Sequence, residues 1–154
     1  MIASPMWTMG SCARMTFGYD WGCPLPTGYK HPERLGQKST GPIFWRIRKI
    51  GTDRICTSII VACEIQFGLE KSGSSNLRDR MERILAAIEI LPLEPLVEKH
   101  YADIRWRLEK AGMMIGPNDL LIAAHARCLG CTVVTDNANE YRRVSGLSVE
   151  NWLG

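Results

Sequence analysis

GPNDLLIAAHARCLGCTVVTDN, residues 116–137, decides the fold, because it sets one helix and one strand between two acids. Pro117 cannot continue a helix backwards past itself, Asn118 is a good N-cap, and Leu120, Leu121, Ala124 and Leu129 recur near helical spacing. The pattern predicts a helix that starts beside Asp119 and is closed by Gly130. Cys131 to Val134 then form a short apolar, β-branched run suited to a buried strand, which ends at Thr135 and Asp136. In an open α/β sheet ligands gather beyond the carboxyl ends of the strands, so Asp119 and Asp136 fall on one rim. Two carboxylates on one rim point to a cation.

Upstream, Arg54 to Val61 (RICTSIIV) reads as a buried strand, and Ala62 to Lys71 as a short helix with Glu64 near its start. A helix is expected from about Asn76, a short strand over Ile90 to Leu93, and a helix opening at Pro95 and running to Gly112. Beyond the opening stretch, Asn139 to Val144 reads as a turn or short helix and LSVENWL as a final extended piece. This order favours a parallel sheet covered by helices, lacking only a first strand from the N-terminal region.

The first 50 residues differ from the rest. They hold 5 of the 8 Pro and 6 of the 14 Gly, and the run WGCPLPTG is turn chemistry, so no periodicity fixes their fold. Met15 to Tyr19 reads as a short strand and Ile43 to Ile50 as a helix or strand. The chain thus divides into an atypical N-terminal part, 1–50, and a domain core, 51–154.

At 154 residues, with 45% hydrophobic and 23% charged residues, the composition is that of one globular domain with a proper core. A net charge of +3 leaves a polyanionic partner unrepelled without demanding one. There is no run of about 18 apolar residues to span a membrane and no signal-like N-terminus, so the expected location is the cytoplasm. The six cysteines, at 12, 23, 56, 63, 128 and 131, are expected as free thiols. Cys128 and Cys131 make a C-x-x-C, but Cys128 closes a helix where the dipole disfavours a thiolate, and no second ligand pair with zinc spacing exists. A redox or zinc protein is therefore the weaker alternative class.

Glu64, Asp119 and Asp136 each sit where an element starts or ends beside an apolar run. Each also has an ordinary reading, as first-turn acid or turn former. Brought together, two such charges at about 4 Å repel by roughly 4 kcal/mol at an effective dielectric near 20, which a divalent cation relieves. Mg²⁺ takes hard oxygen ligands and is commonly held by one or two carboxylates with a substrate phosphate, which favours phosphodiester hydrolysis. Glu70 and Glu140 are further carboxylates better suited to the surface, and His125 reads as a packed histidine rather than a general base. Arg105, Arg107, Lys110, Arg127, Arg142 and Arg143 could hold phosphates or line a solvated face.

From about Arg54 to Leu153 the chain resembles the PIN-domain ribonucleases, most closely the VapC-type toxins of bacterial toxin–antitoxin pairs. The resemblance rests on the strand leading into CEIQFG, on IGPNDLLIAAHA, on VVTDN leading into NEYRRV, and on the ending LSVENW. It implies a three-layer α/β/α sandwich with a central parallel sheet and a Mg²⁺- or Mn²⁺-dependent endoribonuclease. It also implies an RNA substrate, a cognate antitoxin partner and, as in many members, a homodimer. By position, Glu64, Asp119 and Asp136 match the acidic residues of that site, with Asn118, Thr135 and Asn137 beside them. Members of this family open with an apolar strand ending in Asp-Thr-Asn or a similar triplet, whose Asp helps bind the metal. No such triplet occurs here, and Asp20 is the candidate for the fourth carboxylate, with Glu70 and Glu140 as the alternatives. The departure defines the alternative function, a catalytically inactive PIN fold that only binds its antitoxin.

Overall fold

The computed structural model describes residues 14–16 and 42–152. Five strands form one all-parallel sheet: β1 (Arg14–Thr16), β2 (Ile55–Ser58), β3 (Glu89–Leu91), β4 (Thr132–Val134) and β5 (Ser148–Glu150), in the order β3-β2-β1-β4-β5. The helices are α1 (Pro42–Ile50), α2 (Ile59–Ser72), α3 (Ser75–Ala86), α4 (Val97–Ala111), α5 (Pro117–Cys128) and the single turn α6 (Ala138–Tyr141). The missing first strand is therefore present and central, and the segment from Ile43 is a helix.

Alternation along the strands separates two cores. Cys56 and Val133 face a large cluster that includes Val61 and Ile65 of α2, Leu85 of α3, Ile104 and Leu108 of α4, and Leu120 and Ile122 of α5. Their neighbours Ile55 and Val134 face the other way, onto Trp152 with Ile47 and Ile50 of α1. These are the three layers that the resemblance implied.

Several boundaries differ from the sequence reading, two of them with a clear physical cause. The strand expected over Arg54 to Val61 stops at Ser58, whose side chain accepts a hydrogen bond from Ile60 N at 3.2 Å and caps α2. An apolar, β-branched run reads alike as strand or buried helix, and the capping side chain of Ser58 places the boundary. Glu64 is therefore the sixth residue of α2, not close to its start. At α4, Pro95 lies in the preceding turn, and Leu96 takes the N-cap position with φ 87, its N–H donating to Glu98 Oε2 at 2.7 Å.

At the end of α5, Gly130 (φ 66) stands just past the last helical turn. Cys131 N donates to Ala126 O at 2.9 Å and Gly130 N to Arg127 O at 3.3 Å, a closure that turns the chain straight into β4.

Candidate metal centre

Asp119 is the best-anchored acid. Gly116 is the N-cap of α5 and Pro117 its first residue, so Asn118 lies inside the helix instead of capping it. Pro117 at the first helical position lacks an N–H that the helix would leave unpaired in any case, and Asn118, one residue further in, turns its side chain to another contact. That contact is Glu64: Asn118 Nδ2 donates to Glu64 Oε1 at 2.5 Å, joining α5 to α2. Asp119, half-buried in the first turn, accepts a hydrogen bond from Tyr141 Oη at 2.6 Å on Oδ1. Its Oδ2 lies so close to Gly116 that a Cβ there would stand 2.8 Å from it.

Asp136 follows β4 in an exposed turn. Buried Thr135 holds that turn: its N–H donates to Glu150 O at 3.0 Å, and its Oγ1 accepts from Asn137 N at 3.1 Å. Asn137 is the N-cap of α6, whose last residue is Tyr141. Contacts therefore run from Glu64 to Asn118, from its neighbour Asp119 to Tyr141, and through α6 back to the turn of Asp136. Asp20 lies outside the described residues.

Sequence reasoning missed Tyr141 and Gly116. Tyr141 is fully buried, and burial first, then the Asp119 charge and hydrogen bond, push its phenol far above the ordinary tyrosine range. It stays protonated and donates to the carboxylate. A lone Tyr in NEYRRV carries no periodic signal, whereas the Gly of GPND could have been read as room for the acid three residues on.

The donors are carboxylate and amide oxygens, without thiol or imidazole, which suits a hard divalent cation. Among the described residues no three His, Cys, Asp or Glu side chains close into a metal-binding group. Mg²⁺ keeps several waters and is commonly held by only one or two carboxylates.

The other candidates sort by their partners. Arg127, with its side chain 13% exposed, bonds Asp103 at 2.9 Å, His100 O at 3.0 Å and Ser145 O at 3.3 Å, so it clamps α4 to α5 instead of meeting phosphate. Arg105 pairs with Glu109 and Arg107 with Asp103, while Lys110 lies 4.9 Å from the Trp106 ring centroid. Arg142 and Arg143, exposed just past α6, are the cations nearest in sequence to Tyr141. Glu70 pairs with Arg78 at 2.9 Å on the surface. Cys56, Cys63, Cys128 and Cys131 form no disulfide, and burial pushes Cys128 up, against a reactive role.

Residues 38–147 match the PIN domain family. The chain belongs to the PIN-domain family. Within this family it is 37% identical over 99 residues to Ribonuclease VapC2 of Rickettsia felis, covering 64% of this chain and 74% of that protein. It is 35% identical over 105 residues to the tRNA(fMet)-specific endonuclease VapC of Salmonella typhimurium, covering 67% and 79%. Among solved structures, the PIN domain superposes on the DNA-bound VapBC of Salmonella typhimurium with a TM-score of 0.68 at 31% identity, covering 75% of this chain and 88% of that one. VapBC2 of Rickettsia felis, bound to a promoter DNA fragment, gives 0.63 at 33% identity, covering 71% and 85%.

Proposed function

We propose that this chain is a metal-dependent endoribonuclease, the toxin of a toxin–antitoxin pair, and that it hydrolyses RNA phosphodiester bonds at Glu64, Asp119 and Asp136. The observation that carries the reading is the run of contacts linking these acids through Asn118 and Tyr141, in a domain whose relatives are named ribonucleases. The partners that follow are RNA, a cognate antitoxin of the kind that completes the VapBC complexes, and a second copy of the chain. Among the described residues no helix is long and apolar enough to cross a membrane.

Glu64, Asp119 and Asp136 would hold Mg²⁺ or Mn²⁺, directly or through water. Bound there, such an ion lowers the pKa of a water and offsets charge on the phosphate. The protein's own part is placement. Asn118 fixes one oxygen of Glu64, Tyr141 fixes one oxygen of Asp119, and Thr135 with Asn137 holds the turn that presents Asp136. Arg142 and Arg143, exposed just past α6, would meet the RNA backbone, Arg143 with one guanidinium nitrogen already donating to Met114 O at 3.3 Å. The test is RNA cleavage by the purified protein with Mg²⁺ or Mn²⁺. Asp119→Asn is expected to abolish it, and cleavage that survives this change or excess chelator rules the mechanism out.

One observation favours a second reading, the inactive PIN fold. Thr16 of β1 pairs with Val134 of β4, and Asp136, in the turn that follows β4, comes two residues after Val134. Two residues after Thr16 the chain has Gly18, and Asp20 comes only two further on. Growth arrest by a version carrying an Asp-bearing first strand, but not by this chain, would support the inactive reading.

A further inference from the structure

Buried at the centre of the molecule is a polar pair that the proposed chemistry does not use. His125 of α5 is fully buried, and its Nδ1 lies 3.0 Å from Ser58 Oγ, at the junction of β2 and α2. Ser58 Oγ already accepts from Ile60 N, so its hydroxyl proton is available to Nδ1. The ring proton then sits on Nε2, which has no hydrogen-bond partner of standard geometry, although the Pro92 backbone lies near enough to favour its protonation. For packing alone a leucine would fill this space and leave no buried N–H unmatched.

The spacing of the contacts gives the pair a purpose. Along α2, Glu64 lies six residues beyond Ser58, and along α5, Asn118 lies seven before His125. At about 1.5 Å per residue these are segments of about 9 and 10.5 Å. Two segments of nearly equal length are thus cross-linked at both ends, by Ser58 with His125 inside and by Glu64 with Asn118 at the site. Between the cross-links Ala62, Ala123 and Ala124 are buried, small side chains that let the backbones approach.

We propose that the Ser58–His125 hydrogen bond sets the axial register of α2 against α5, making His125 a positioning residue that holds Glu64 at its distance from Asp119. The inference rests on the metal-site reading above. His125 touches neither metal nor substrate; it acts through the two helices.

The experiment is Mn²⁺ binding to the full chain by titration calorimetry, with folding followed by circular dichroism and urea midpoint. His125→Leu is expected to weaken Mn²⁺ binding by about tenfold, as loss of an outer-shell partner does, in protein that is fully folded. His125→Asn, which keeps an acceptor at the δ position, is expected to recover most of the affinity. Ser58→Ala, which also removes the cap of α2, should weaken Mn²⁺ binding at least as much as His125→Leu, and the double variant should bind no worse than Ser58→Ala alone. Wild-type affinity in folded His125→Leu overturns the inference. Should that variant not fold, His125→Asn against His125→Gln decides: tighter binding by Asn supports the register role, and equal binding overturns it. Asp119→Asn separates the two levels. If it binds Mn²⁺ as tightly as the unaltered chain, the metal site itself is wrong. If it loses binding while folded His125→Leu keeps it, only the positioning role fails.

Discussion

Tyr141→Phe isolates one hydroxyl. The ring is fully buried and Phe preserves its packing, so what is removed is the O–H donated to Asp119 Oδ1 at 2.6 Å. That length falls in the charge-assisted range of about 2.5–2.7 Å, and such bonds contribute about 1.5–3 kcal/mol. Asp119 is half-buried, so water can replace the lost donor and the lower end applies, about 1.5 kcal/mol. With an m value of about 2 kcal/mol per molar, the urea midpoint should fall by about 0.75 M. The same bond fixes the carboxylate rotamer, so RNA cleavage at saturating substrate should drop by about tenfold, the equivalent of about 1.4 kcal/mol. In the Asp119→Asn background the change should cost much less, because the charge is gone. A Tyr141→Phe protein with unaltered midpoint and cleavage would refute the anchoring of Asp119 by Tyr141.

Gly116→Ala probes the opposite oxygen. Gly116 has φ −55 and ψ 149, a conformation open to any residue, so the added Cβ acts only through its 2.8 Å approach to Asp119 Oδ2. Cleavage should fall at least tenfold while stability changes by less than about 1 kcal/mol, as read by single-turnover kinetics and urea melts. The buried imidazole gives a pH dependence of stability. Burial lowers the His125 pKa in the folded state, against the weaker opposing pull of the Pro92 backbone and the Glu94 charge. Below about pH 6.5 the unfolded chain takes up a proton that the folded one refuses, so stability falls as pH falls. The slope from this group is at most about 1.4 kcal/mol per pH unit and ends at the folded pKa. Urea melts between pH 7.5 and 5 should show it, and His125→Asn should flatten that part of the curve.

The helix and strand of residues 116–137 were legible because Pro117, the apolar spacing and Gly130 each mark a boundary locally. The parallel sheet followed from the alternation of elements, and its first strand lies within the three residues Arg14–Thr16 of a segment without clear periodicity. The end of β2 was misplaced because RICTSIIV has one composition and two conformations, and only the Ser58 cap distinguishes them. The acids themselves stand out as charges beside apolar runs. What holds them does not: Tyr141 meets Asp119 across 22 residues, Asn118 meets Glu64 across 54, and His125 meets Ser58 across 67. Such pairings arise from packing of whole elements, and no window of sequence contains both partners. Asn118 shows the same limit in reverse, since its N-cap propensity was overridden by Pro117 beside it and Glu64 across from it.

The central claim is that Glu64, Asp119 and Asp136 form one metal site, and crystals grown with Mn²⁺ test it most directly. The account predicts an anomalous Mn²⁺ peak bound to the Asp119 carboxylate at about 2.0–2.3 Å, with Glu64 and Asp136 reaching the same ion directly or through one water. The peak should be lost in Asp119→Asn. A peak bound elsewhere, or none at an Mn²⁺ concentration that supports RNA cleavage, would contradict it.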